Sequence, residues 1–162
     1  MNEESAPGSF AARGGSLVLA QFALMIAIWF AGRQWKQSAS WIESPLVRVL
    51  ASPLMITSAV VGIAGVFALG RNRTVFPRPL EQGSLVQTGI YGLVRHPLYS
   101  SLIALGTGWS IDRASWPALL FTAMLALLLD FKSRVEERWL RKKFSGYEPY
   151  ARRVNRFIPW VY

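Results

Sequence analysis

A chain of 162 residues that is 52% hydrophobic, has a positive mean hydropathy and carries a formal charge of +9 is one domain's worth of membrane protein rather than a soluble enzyme. With no cysteine it has no disulfide, no thiolate chemistry and no cysteine-based metal site, and a single histidine gives no support to a zinc or di-iron centre. The basic residues flank apolar runs, so the charge reads as attraction to anionic lipid headgroups and as topology control, not as nucleic-acid binding.

Residues 1–15 are polar, with Gly and Ser, and read as a loose tail. Residues 16–32, "SLVLAQFALMIAIWFAG", carry no charge and approach the roughly 20 apolar residues that a bilayer span needs. The weakly basic lead and the lack of a small-x-small site favour an anchor over a cleaved signal. A polar segment, 33–48, holds Trp35 and Trp41, which suit an interface. Residues 49–69 form a second span. In it Ala59, Gly62, Gly65 and Ala68 make a small-residue stripe that serves a contact within the chain or a homodimer equally well, and Pro53 kinks the helix or marks its first turn. A long connection rich in Gly, Pro and Arg follows over 70–96, and connections of this length in small domains are usually functional or disordered.

Two shorter uncharged runs, 97–111 and 114–129, each cover only about 23 Å as helix. The turn "IDRAS" between them is so short that they must be antiparallel neighbours, with Ser115 as N-cap of the second and Trp109 and Trp116 together at the far interface. The stretch "DFKSRVEERWLRKKF" has no Gly or Pro and continues the last helix out of the membrane. The expected fold is all-α and integral to the membrane, a single domain over 1–162. It has about four transmembrane helices, the last two a tight hairpin, and a cytoplasmic C-terminal helical segment; the ligand-binding half is 97–162. Thirteen of the eighteen basic residues lie in 70–95 and 132–156, which places that side and both termini in the cytoplasm; Arg33, Lys36 and Arg48 conflict mildly with this.

Three groups share the cytoplasmic side. Arg95-His96-Pro97 opens a helix, and its N–H groups, dipole and side-chain donors make a site for an anionic group such as a carboxylate; the same residues also suit an anchor among lipid phosphates. Glu136 and Glu137 follow a membrane helix. Either they form a solvated face with ion pairs such as Glu137–Arg141 and Asp130–Arg134, or one carboxylate turns back to accept from ribose hydroxyls or an ammonium. Tyr91, Tyr99, Tyr147 and Tyr150 offer rings for a heterocycle or a sulfonium, with Tyr147 and Tyr150 on one helix face, or else serve as interfacial belt residues.

"TGIYGLVRHPLYSS" followed by "EERWLRKKFSGYEPYARRVNRFIP" resembles the isoprenylcysteine carboxyl methyltransferase family of integral membrane methyltransferases. Gly89, Tyr91, Arg95, His96, Pro97 and Tyr99 match its first motif; Glu136, Glu137, Leu140, Phe144, Tyr147, Tyr150, Arg156 and Pro159 match its second. The resemblance covers 88–159 and over 1–70 rests on hydrophobicity alone. It implies S-adenosylmethionine as cofactor, held by Tyr91, Arg95, His96, Pro97, Leu98, Tyr99, Glu136, Glu137, Leu140, Tyr147 and Tyr150, with Arg95, His96 and Glu136 at the chemistry. It also implies a lipid-side tunnel for a lipophilic acceptor, expected to be a carboxylate, and an active site facing the cytoplasm of a bacterial or archaeal inner membrane. The family's upstream arginine for the acceptor has only weak counterparts here, Arg71 and Arg73. Two other readings use the same motifs: a phospholipid or small-molecule N-methyltransferase, and a sterol-type reductase using NADPH, for which the basic cluster 138–143 would bind the second phosphate.

Overall fold

The computed structural model describes residues 13–35 and 44–162; Trp41 and Lys36, and most of the expected tail, lie outside them. Among the described residues there are five helices, α1 (Gly15–Gln34), α2 (Pro45–Leu69), α3 (Pro97–Asp112), α4 (Trp116–Lys143) and α5 (Tyr147–Arg153), with single 3-10 turns at Gly70–Asn72 and Gly89–Gly92. Among them there is no strand, only an isolated parallel bridge between Val94 and Asn155.

The helix starts follow local chemistry. Helix α2 begins four residues before the apolar run because Pro45 takes its first turn, where a missing N–H costs nothing; Pro53 is therefore an internal residue. Ser115 caps α4 as expected, its Oγ accepting from the Ala118 N–H at 3.3 Å. The same hydroxyl donates to the Ala31 carbonyl at 3.1 Å, which fastens the start of α4 to the end of α1. Helix α4 then runs 28 residues, about 42 Å, longer than the roughly 30 Å thickness of a hydrocarbon layer, and ends in Arg141, Lys142 and Lys143.

Helix α2 packs along α3, α1 packs on α4 and more lightly on α3, and α3 packs on α4; α1 and α2 are not packed on each other. The small-residue stripe is used within the chain. A Cβ at Gly62 would lie 2.9 Å from Ser101 Oγ, and one at Gly65 3.1 Å from Leu98 Cδ2, so α2 reaches α3 only through glycine. Ile28, Leu125 and Leu129 form the core, with Tyr99, Leu102 and Trp109 packed against them. Trp109 packs against Gly32 and under Arg113.

The outward faces carry Leu19, Ile26, Val49, Ile56, Val60, Phe67, Leu120 and Leu127, all exposed. Both Gly15–Gln34 and Val49–Asn72 are long and apolar enough to cross a membrane. This is the surface of a helical membrane protein.

At the other end of the α2–α3 contact, a Cβ at Gly108 would sit 2.6 Å from Met55 Cγ and 3.2 Å from the Ala51 carbonyl oxygen. Gly108→Leu is expected to cost about 1–3 kcal/mol by overpacking. The measurement is a lowered midpoint of tryptophan-fluorescence melting in detergent; an unchanged midpoint would rule out this close approach.

Candidate active site

Glu137, on α4, is fully buried. Its Oε1 accepts from Arg95 Nε at 3.1 Å, Arg95 Nη2 at 3.0 Å and Arg156 Nε at 3.0 Å; Oε2 accepts from Arg156 Nη2 at 3.1 Å and from Arg141 Nη2 at 3.5 Å. His96 Nε2 stands 3.3 Å from Oε1. Arg95 Nη1 donates to the carbonyls of Ala151, at 2.7 Å, and Val154, and Arg156 Nη1 donates to Asp130 at 3.2 Å. Burial pushes the Glu137 carboxyl up, but the hydrogen bonds from His96 and Arg156 and the Arg95 charge outweigh it and hold the group well below the usual carboxylate range.

This arrangement gives internal partners to several groups that the sequence left open to a ligand. All three guanidinium nitrogens of Arg95 are directed at Glu137 or at backbone carbonyls, because a desolvated carboxylate needs cations close on more than one side. The N–H groups of Arg95 and His96 donate to the carbonyls of Asn155, at 2.8 Å, and Arg156, at 3.0 Å. The anion site expected at the start of α3 is therefore partly filled by the chain's own C-terminal segment. The solvated-face reading of the glutamates fails for Glu137, although its pairing with Arg141 and that of Asp130 with Arg134 are present.

Glu136 is one residue along, about 100° around the helix, and faces elsewhere. Its Oε2 accepts from Tyr99 Oη at 2.9 Å and lies 3.8 Å from His96 Nδ1. The His96 ring stacks on Tyr99, with centroids 5.2 Å apart, and so stands between the two glutamates.

A narrow cavity of about 110 Å³ opens in front of Glu136. Tyr91, Arg95, His96, Leu98, Tyr99, Glu136, Leu140, Tyr147 and Tyr150 border it, together with Phe144. Pro97, packed against Gly65, and Glu137 lie behind that wall. Tyr147 and Tyr150 share a face of α5 as expected, rings 5.8 Å apart and edge to face. Tyr150 Oη donates to the Tyr91 carbonyl at 2.7 Å, whereas the buried Tyr147 Oη has no partner. Burial, reinforced by the Glu137 charge, pushes the Tyr147 phenol well above its ordinary range; burial pushes Tyr150 up to about 12. Both stay protonated donors at neutral pH.

The stretch 74–86 of the connection, given no residue-level role by the sequence, closes the cavity. Asn72 clasps Ser84 (Nδ2 to Oγ 3.2 Å, and Ser84 N–H to Oδ1 2.8 Å), and Lys143 Nζ donates to the carbonyls of Leu80 and Glu81. Asn72, Leu80 and Ser84 therefore join the lining. The signal was the density of turn formers, Pro77, Pro79 and Gly83, which bends a long loop back on itself.

A second, larger groove of about 500 Å³ lies between α1 and α2, over α3. Its walls are apolar, including Phe22, Ile63, Val66, Phe67, Leu102 and Leu105, and Thr74, Leu98 and Tyr99 border both spaces. Lys132 also lines it; the sequence reading had counted that lysine only as a topology charge. Among the described residues no three His, Asp or Glu side chains group as a metal site.

A family profile described as phospholipid methyltransferase matches residues 46–146, which takes in α2, the connection, α3 and the glutamate pair. The chain belongs to that family. The cobalt-zinc-cadmium resistance protein CzcN of Cupriavidus metallidurans is 33% identical over 111 residues, 67% of this chain and 50% of that protein. A Delta(14)-sterol reductase of Mus musculus is 33% identical over 82 residues, 48% of this chain and 20% of that one. A probable protein-S-isoprenylcysteine O-methyltransferase of Oryza sativa subsp. indica is 32% identical over 84 residues, 50% of this chain and 44% of that one. The chain thus spans half or less of the length of each of these relatives.

Glu137→Gln removes the buried charge that neutralises two partly buried guanidinium groups and is expected to cost about 3–5 kcal/mol. Because the folded carboxyl titrates below its ordinary value of 4.5, this contribution is complete above that pH and is lost as pH falls beneath it. Melting midpoints measured against pH should show the variant's deficit at neutral pH shrinking below pH 4.5.

Proposed function

We propose that the protein is a membrane methyltransferase that uses S-adenosylmethionine and acts on a lipophilic acceptor. The observation that carries this is the meeting of two unlike spaces at Tyr99: a polar, aromatic-walled cavity and an apolar groove open toward the bilayer. The donor set fits the cofactor. The unpartnered Tyr147 Oη is a buried donor awaiting an acceptor, and Glu136 offers a carboxylate to ribose hydroxyls or an ammonium. The cavity, at about 110 Å³, is smaller than the roughly 300–1,000 Å³ of sites that hold molecules of this size, so admission requires its lining to open.

S-adenosylmethionine supplies an electrophilic methyl on a sulfonium. Glu136 and the tyrosine rings orient it, and the hydrophobic contacts of Leu98 and Leu140 exclude water. His96 holds Glu136 and Tyr99 in register. Arg95 acts one step back, as a positioning residue that fixes Glu137 and the end of α5. The resemblance in the two motifs and the family membership support the same assignment. The clustering of basic residues supports four crossings with this site on the cytoplasmic side.

The test is calorimetric titration of the detergent-purified chain with S-adenosylhomocysteine and, separately, NADPH. Micromolar binding of the first and none of the second is expected. Tyr147→Phe and Glu136→Gln should each weaken binding by about tenfold, the scale of one hydrogen bond to a charged or buried partner. Binding of NADPH alone would replace this reading with the reductase one, which the similarity to the sterol reductase favours. Binding of neither would remove both.

A further inference from the structure

Lys132 is the one buried lysine among the described residues. It projects from α4 and is only 2% exposed. Its ammonium donates to Gln21 Oε1 of α1 at 2.6 Å and lies 5.3 Å over the ring of Tyr99. Among the described residues no carboxylate pairs with it within ion-pair distance. Burial makes this cation costly, the Glu136 charge acts on it only from beyond contact distance, and with one N–H given to Gln21 the ammonium has donors left for a ligand.

The place is as informative as the residue. Among the described residues Lys132 is the one charged residue lining the groove between α1 and α2, whose other walls are mostly apolar, with Gln21, Ser58, Thr74 and Ser101 as polar exceptions, and whose exposed residues include Phe22, Ile63 and Phe67. The ammonium is at the inner end, beside Tyr99, the wall shared with the cofactor cavity. A lipid-dissolved molecule entering head first would bring its polar end to this cation and keep its tail among the apolar walls.

We propose that Lys132, steadied by Gln21, selects the acceptor: it holds an anionic oxygen of a lipophilic acceptor next to Tyr99 and turns away acceptors headed by an ammonium. This deepens and rests on the methyltransferase reading. An ammonium head would meet a like charge in a site poor in water, where such repulsion is weakly screened. A carboxylate needs no general base. One oxygen lone pair forms the O–CH3 bond, the S–CH3 bond breaks with its electron pair passing to sulfur, and no proton moves. The positive sulfonium becomes a neutral thioether and the carboxylate a neutral ester. The product has therefore lost the charge by which Lys132 held it, and it leaves into the bilayer.

The experiment uses the full chain in a neutral detergent, first titrated with S-adenosylhomocysteine and then with a fluorescent polyene fatty acid as probe. Oleate should displace the probe, while methyl oleate and oleylamine should not. Lys132→Met should weaken probe binding by about ten- to a hundredfold, the range for hydrogen bonds to a charged group, and Lys132→Arg should restore part of it. Should Lys132→Met fail to fold, the competition on the unaltered chain together with Lys132→Arg decides. Displacement by oleylamine as readily as by oleate, or unchanged affinity in a folded Lys132→Met, would overturn the proposal. Absence of S-adenosylhomocysteine binding by the unaltered chain would instead overturn the methyltransferase reading on which it stands.

Discussion

The cytoplasmic half of the molecule depends on one desolvated carboxylate. Glu137 is out of water, and a buried anion is tolerable only if cations and hydrogen bonds surround it. Those partners come from the entry to α3, through Arg95 and His96, from its own helix, through Arg141, and from the C-terminal segment, through Arg156. Each is held in turn: Arg95 by the carbonyls that end α5, Arg156 by Asp130, and the backbone of 95–96 by that of 155–156. Remove the charge and three chain segments lose their common point. The arrangement also explains why an arginine before a histidine, a glutamate pair and a late arginine stand so far apart in sequence and yet go together. They are one ion cluster.

Neighbouring glutamates serve opposite ends. A residue step on a helix turns the side chain by about 100°, so one of two adjacent carboxylates can face the packed interior while the next faces a cavity. Glu137 fixes the scaffold. Glu136, a quarter exposed, keeps Tyr99 and His96 aligned and leaves carboxylate surface for a ligand. His96 between them carries the rigidity of the buried cluster to the cavity wall.

Much of this was legible in the sequence. Helix order, the continuation of α4 beyond the membrane, the Ser115 cap and the convergence of the motifs followed from apolar run lengths, turn chemistry and charge distribution. The eleven residues proposed at the cofactor came from the family resemblance instead, and nine of them line one cavity. What was not legible depends on rotation and on long-range closure. Which glutamate is buried is set by how α4 rolls against α3 and α5, and no local pattern encodes that roll. Arg95 seemed free to hold a ligand because the carbonyls that engage it lie some sixty residues away. Lys132 looked like one more interfacial charge because its burial needs α1, which pairs with α4 only in three dimensions.

The two spaces follow from the same packing. Because α1 follows α4 and α2 follows α3, the first two helices stand apart and leave a lipid-facing groove over α3. Because the connection after α2 must return to the start of α3, it passes over the polar side and roofs a cavity there. Both spaces reach α3 at its first turn, where Leu98 and Tyr99 form the partition. On the proposed function, a water-soluble donor and a lipid-soluble acceptor have no common solvent, and direct displacement at the methyl carbon requires the two spaces to meet at this partition. That partition is one helical turn, entered through residues 95–96, whose N–H groups bond to the C-terminal segment, and with Tyr99 stacked on His96. That is the physical reason for an arginine and a histidine to stand where this chain turns into the membrane: they hold the partition still.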